Sequence, residues 1–293
     1  MSQKLVPSDP SKVMVIREVV PRVVTTFSVP FWRFGRIKVG GRGTIGTSSS
    51  SFTSMRAANN DQVRLQSGSL AVFSPVALTD EVKAKVAELG EVRYICAPDA
   101  EHHIFLGPWH SAYPQAEVMG PETLPELRAK DSSKEDVPFT HLFRATKRTE
   151  TVSPEFDAEF DWEYVHAHAN KEIVFHHRPT RTLIEADYMF NSPPTEQFSK
   201  TGVDPSTGFL TRIFGALTST QGKALAQQRM IWWGTSAGNR KSFAASTARI
   251  NKWDFDRIIP CHGDVIETDG KAVFQKVLKW HLDLARQEGF KDL

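Results

Sequence analysis

Four side chains able to bind a metal or move a proton fall within five residues of this chain: Asp99, Glu101, His102 and His103, in the stretch RYICAPDAEHHIFLGPW from Arg93 to Trp109. An apolar run (Tyr94, Ile95, Cys96) that breaks at Pro98 reads as a buried strand emptying into that loop. Adjacent side chains diverge, so at least one of the two histidines must leave the core. Two later stretches answer the first. TLIEADYMFN, Thr182 to Asn191, sets Asp187 among apolar neighbours. An unpaired carboxylate there is expensive to bury, so it needs a cation, hydrogen bonds or a proton. Arg178 or Arg181 would supply an ordinary salt bridge; a metal ion is the other solution. RIIPCHGD, Arg257 to Asp264, ends a strand on His262, and Gly263 allows the backbone to turn sharply there. His177, in HHRPTRT, precedes the Asp187 strand. Three strand ends carrying ligand-type side chains point to one site assembled from distant segments.

Other residues compete for attention. His166 and His168, in HAHANK, would share one face of a strand, with solvent or a structural hydrogen bond as partner. Cys96 and Cys261 sit near the ends of strands that should be central; Cys261 is either a soft ligand or reactive thiol, or a small buried side chain. Phe105, Trp109, His110 and Tyr113 could line an apolar pocket. Trp232, Trp233 and Trp253 read equally well as packing between helices. Gly40, Gly41 and Gly43 lack the strand-to-helix setting of a phosphate loop.

The elements that must hold these groups can be read in outline. Val13 to Phe34 is extended, interrupted at Pro21 and Pro30. Thr79 to Leu89 is a helix, with Thr79 as cap, Asp80 and Glu81 in its first turn and Gly90 after its end. A strand over Val92 to Ala97, a short helix from Ile104 to Tyr113 and a strand from Ala116 to Met119 follow. That is an α/β rhythm. Leu124 to Glu150 reads as irregular surface. Phe156 to His168, Glu172 to Phe175 and Thr182 to Met189 read as consecutive antiparallel strands. Helices are expected over Ser219 to Trp232, Asn239 to Trp253 and Gly270 to Gln287, with a short strand at Ile258 and Ile259. Residues 1–12 read as a loose tail, 13–293 as one domain, and the Ser-rich stretch 46–62 as a surface insertion.

Composition sets limits. A chain of 293 residues, 40% hydrophobic and 24% charged, can bury a large core. A net charge of +2 gives no argument for nucleic acid or an acidic membrane surface. No apolar run is long enough for a membrane span, and the N-terminus lacks an apolar signal core. Two cysteines fit a reducing compartment, so the cytoplasm is the expected location. A small-molecule substrate is the expected partner; the oligomeric state stays open.

The order of PDAEHH, TLIEAD and IIPCHGD resembles the metallo-β-lactamase-fold superfamily, and in particular its divergent DUF4336-type branch. The resemblance covers Val13 to Leu284. It implies a four-layer αββα sandwich, where the residues alone imply only α/β or α+β. In that superfamily a strand leads into HxHxDH, a third His follows, and an Asp and a last His end later strands. Here Pro98 and Ala100 fall where the first two histidines belong. His102 then falls at the Asp position and His103 at the final His. In the other register Glu101 takes the Asp position and Asp99 the second His. The resemblance implies metal ligands among His102, His103, His177, Asp187 and His262, with Asp99 or Glu101 as water-orienting group or base. It implies zinc, one ion rather than two, with iron as the alternative. The implied activity is hydrolysis of an ester, lactone or thioester; a metal-poor binding protein and an iron redox protein are the competing readings.

Overall fold

The computed structural model describes residues 9–47, 68–147 and 150–290. The Ser-rich stretch therefore lies outside the described residues except for Gly46 and Thr47, as do residues 1–8 of the expected tail.

Elements follow in chain order. Helix α1 (Pro10–Val13) leads into strands β1 (Val15–Val20) and β2 (Val24–Val29), a small hairpin β3 (Trp32–Arg33) and β4 (Ile37–Lys38), then β5 (Gly41–Thr47) and β6 (Ser69–Phe73). Helix α2 (Asp80–Leu89), β7 (Glu91–Cys96), α3 (Leu106–Ala112), β8 (Glu117–Pro121), α4 (Leu124–Ala129) and β9 (His141–Phe143) complete the first half. The second half holds α5 (Pro154–Glu159), β10 (Phe160–Val165), β11 (Glu172–His177), β12 (Thr182–Ile184), α6 (Thr195–Phe198), α7 (Phe209–Leu217) and α8 (Leu225–Met230). A π-helical turn (Ile231–Thr235), α9 (Arg240–Ile250), β13 (Arg257–Ile259), α10 (Gly270–Val277) and α11 (Lys279–Gln287) end it.

Strand alternation builds the layers. The larger sheet runs β1-β2-β5-β6-β7-β8-β9 and the smaller β10-β11-β12-β13. Successive side chains on a strand face opposite ways. Ala71, Phe73, Tyr94, Cys96 and Met119 of the large sheet therefore pack with Tyr164, Ile173, Phe175 and Ile184 of the small one. Their neighbours Leu70, Val72, Ile95 and Val118 face outward onto Val82 and Val86 of α2 and Leu106 and Trp109 of α3. On the far side Val165, Val174 and Leu183 pack with Phe243, Ile250 and Phe274 of α9 and α10. Helix, sheet, sheet, helix is the αββα sandwich. Among the described residues no helix is long and apolar enough to cross a membrane.

Several elements differ from expectation, each for a local reason. Ser153 accepts a hydrogen bond from the Phe156 N–H and Pro154 occupies the first turn, so 154–159 is helix where alternation suggested strand. The stretch read as irregular surface carries α4 and β9; β9 is three residues long and adds to the edge of the sheet by parallel pairing with β8. The helix expected from Ser219 starts at Leu225, after Gly222 and Ala224 take positive φ. The closing helix breaks at Leu278 into α10 and α11. His166 and His168 lie past the end of β10, in a turn and not on a strand face.

Phe175 is fully buried between the sheets, against the rings of Phe73, Phe143 and Phe156. Phe175→Ala should cost about 3–5 kcal/mol of folding stability, read from urea unfolding. A loss below about 1 kcal/mol would mean the inter-sheet layer is not packed as described.

Candidate metal centre

The three strand ends meet. Strand β12 lies parallel to β13, so the loops carrying Asp187 and His262 leave the same edge of the small sheet. They are stitched together where the Asn191 N–H donates to the His262 carbonyl (3.3 Å) and the Asp264 N–H to the Asn191 carbonyl (2.9 Å). The loop after β7, which carries His102, is held beside them by the turn between β10 and β11 and the start of β11, through the Ala100 N–H to the Asn170 carbonyl (2.8 Å) and the Ile173 N–H to the Pro98 carbonyl (2.6 Å). His102, Asp187 and His262 each offer one ligand atom, and these atoms lie within 4.8 Å of one another.

The hydrogen bonds around the two imidazoles fix what they present to each other. His262 Nδ1 is 2.7 Å from the Gly40 carbonyl oxygen, which can only accept, so Nδ1 carries a proton. His102 Nδ1 is 2.9 Å and 3.0 Å from the two oxygens of Asp99. That carboxylate is fully buried and already accepts the N–H groups of Glu101 and His102, so this Nδ1 also donates. In neutral rings both Nε2 atoms then carry lone pairs, and they face each other at 3.2 Å. Asp187 Oδ1 stands 3.3 Å from His262 Nε2, too poorly aligned for a hydrogen bond, and is buried with no donor among the described residues.

Three acceptor atoms thus converge without a donor, and only a positive charge between them resolves the arrangement. In the metal-free state that charge is a proton. Burial opposes it, but the adjoining Asp99, with Asp187 and Glu172 beyond, raises His102 to about 10. Burial would likewise raise Asp187, yet His262, His102 and His168 hold it well below the usual carboxylate range. A metal ion fits the same place. Ligand atoms of a tetrahedral zinc with bonds of ~2.0–2.1 Å stand roughly 3.3 Å apart, close to the two measured separations.

A second layer of residues holds the three ligands rigidly. Phe190 stacks face to face on the His262 ring (5.6 Å, 5°), and Phe31 covers it at 6.2 Å. Buried Arg42 donates through Nη1 to the carbonyls of Pro260 and Gly263, both at 2.7 Å, clamping the backbone on either side of His262. Gly263 has φ +96°, and a Cβ there would lie 2.2 Å from the Asn191 carbonyl oxygen. Glu172 accepts the N–H groups of Ala186 and Asp187, and Glu185 those of Tyr188 and Met189. Burial, reinforced by neighbouring carboxylates, pushes both glutamates well above the usual range. Asn170 Nδ2 donates to Asp187 Oδ2 at 2.6 Å.

Other sequence candidates are placed elsewhere. His103 turns away from Asp187 and His262. It is buried against Arg128, whose Nη1 lies 3.1 Å from its Nδ1, and burial plus that cation lower it to about 4. His102 reaches the centre, as either register allows; the expectation that His103 joins it is corrected. His177 is also corrected: at the end of β11 its nitrogens face Thr180 (2.7 Å) and Glu159 (3.2 Å), and neither is left for a metal. Asp99 acts on His102 and not on the space beyond it. Glu101 is turned outward into a two-point ion pair with Arg33 (3.0 and 3.2 Å). Neither arginine proposed as a partner of Asp187 reaches it: Arg181 binds Asp254, and Arg178 binds Asp161. Cys261 is buried with Sγ 2.9 Å from Ser74 Oγ. Trp109 is core, its Nε1–H donating to the Val76 carbonyl.

Sequence reasoning missed Gly40, Asn170, Glu172 and the two phenyl rings. Gly40 sat in a glycine cluster set aside for want of a phosphate-loop context, although the need for close backbone approach was the available signal.

Residues 60–198 match the family described as "Domain of unknown function (DUF4336)". No curated protein sequence matches the chain. Solved structures do. A metallo-beta-lactamase from Pontibacter korlensis is 12% identical with a TM-score of 0.53, over 91% of this chain and 99% of that one. The metallo-beta-lactamase FIM-1 from Pseudomonas aeruginosa, solved in its mono-zinc form, is 11% identical with a TM-score of 0.52, over 94% and 96%. A mutant flavo-diiron protein from Thermotoga maritima is 7% identical with a TM-score of 0.53, over 92% of this chain and 62% of that longer one. At such identities the likeness is one of fold alone: the chain has the metallo-β-lactamase fold.

In protein stripped of metal, His102 should keep its proton up to about 10. The stability contributed by that charge is then fully present below the ordinary value of 6.5 and lost as pH rises through about 10. Histidine-ring NMR across that range checks the sign; a His102 ring titrating near 6.5 would contradict the geometry.

Proposed function

We propose that this divergent metallo-β-lactamase-fold chain is a metal-dependent hydrolase of small-molecule esters, lactones or thioesters, with one divalent ion held by His102, Asp187 and His262. The observation that carries the reading is the orphaned Asp187 Oδ1 facing two imidazole lone pairs in a buried setting. Zinc suits two imidazoles and a carboxylate with a coordination position left open. An ion held there supplies Lewis acidity, which polarises a carbonyl and lowers the pKa of water.

The chain's own residues prepare that chemistry. Asp99 is a positioning residue: its carboxylate fixes the His102 tautomer and ring, so that Nε2 faces inward. The Gly40 carbonyl does the same for His262. Phe31 and Phe190 keep water from the faces of the His262 ring, while the partly exposed His102 marks the side open to a substrate. Neither acid of the first loop is free to take a proton at the centre: Asp99 is fully engaged with His102, and Glu101 is turned outward to Arg33.

The same donor set also suits iron. The likeness to a flavo-diiron protein favours an iron redox protein as the second reading.

Metal analysis of protein purified without added metal separates these. About one zinc per chain is the expected result; iron with a reversible redox signal would favour the second reading. No metal, with no thermal shift on adding zinc, would leave a metal-free binding protein. Asp187→Asn keeps the size of the side chain but removes its charge, and should abolish metal retention. Unchanged metal content with lowered stability would show that Asp187 is only a structural partner.

A further inference from the structure

We propose that the face made by α7 and the tip of the β3–β4 hairpin docks this protein on an anionic lipid surface. The inference stands apart from the metal reading. Helix α7 has the reverse of the polarity expected of a helix on a globular protein. Phe209, Leu210, Ile213 and Leu217 are exposed, while Thr211 and, at the helix end, Thr218 are buried. At about 100° per residue the four apolar side chains share one arc of about 100°, and the threonines fall on the opposite side. Those threonines fix the orientation. The Lys38 N–H donates to Thr211 Oγ1 (3.2 Å), and Thr218 Oγ1 lies 2.7 Å from Ser192 Oγ. Rotating the helix to hide its apolar face would break both contacts. Single exposed apolar side chains are ordinary, but four on one face of a nine-residue helix form a contact surface.

The hairpin adjoins that helix, because its second strand carries Lys38. Phe34 at its tip is 77% exposed and has φ +54°. A positive φ is costly for a bulky side chain, and Phe34 gains no burial in return. Charge selects the partner. The whole chain carries only +2, but residues 31–38 hold Arg33, Arg36 and Lys38 and no acid. Arg212 flanks the apolar arc on α7 itself. Arg36 and Arg212 are exposed, and neither forms an ion pair among the described residues. A second copy of the chain seated on this face would set like charges against each other. Anionic headgroups neutralise them instead, while the phenyl and alkyl groups enter the acyl boundary. Phe214 of the same helix meets Phe190 edge-on (5.9 Å), and Phe190 is the ring stacked on His262. The docked surface therefore lies beside the candidate metal centre.

Co-sedimentation of the full chain with vesicles of phosphatidylcholine, alone or mixed with phosphatidylserine, tests this. The chain should bind the mixed vesicles at least about tenfold more tightly than the neutral ones. That margin should vanish at about 1 M salt, where the screening length falls to about 3 Å. Phe209→Ser combined with Ile213→Ser alters exposed side chains, so the thermal midpoint should hold while vesicle binding weakens by about tenfold or more. Arg36→Glu combined with Arg212→Glu should abolish the preference for the anionic vesicles, and carries the test if the serine pair fails to fold. Wild-type binding to both vesicles by either folded variant would overturn the proposal. So would a wild-type chain that stays in the supernatant. A chain that ignores vesicles but sediments as a dimer, dissociated by the serine pair, would assign the face to a second copy instead.

Discussion

With both rings neutral, two imidazole lone pairs and a carboxylate oxygen face one another where no donor among the described residues reaches them. That constraint organises the rest of the centre. Left uncompensated, such a cluster costs several kcal/mol in lost hydration. The chain does not relieve it by rotating a ring, because Asp99 and the Gly40 carbonyl lock both tautomers from behind. A cation must complete it, and proton and metal compete for one position.

The sandwich exists around this edge in a specific sense. Packing the sheets through Phe73, Phe143 and Phe175 brings the loop after β7 opposite the loops after β12 and β13. Parallel pairing of β12 with β13 then puts Asp187 and His262 on the same edge. Arg42, Glu172 and Glu185 satisfy backbone groups of the two loops, so the loops keep their shape without regular secondary structure. The cost is a set of buried charges. Arg42 is compensated by Glu196, but the two glutamates lie near other acids and are driven toward the protonated state.

Much of the architecture was legible in the sequence because it follows from short-range rules. The Thr79 cap and Gly90 stop bound α2, and the apolar runs of β7, β11 and β12 stand out. Asp187 and His262 were legible for the same reason, as polar side chains ending apolar strands. The choice between His102 and His103 was not. Both follow the same strand by almost the same distance, and Arg128, far along the chain, decides the matter by pairing with His103. His177 failed similarly, through partners at Thr180 and Glu159 that no periodicity reveals. Asn170 and Gly40 act through an amide and a backbone carbonyl, which leave almost no trace in a sequence read for titratable groups.

The most direct test of the account is anomalous diffraction at the zinc edge from a crystal soaked in zinc. The account predicts a single strong peak among His102 Nε2, Asp187 Oδ1 and His262 Nε2, ~2.0–2.2 Å from each. A peak at His103 or His177, or none in the presence of excess zinc, would contradict it.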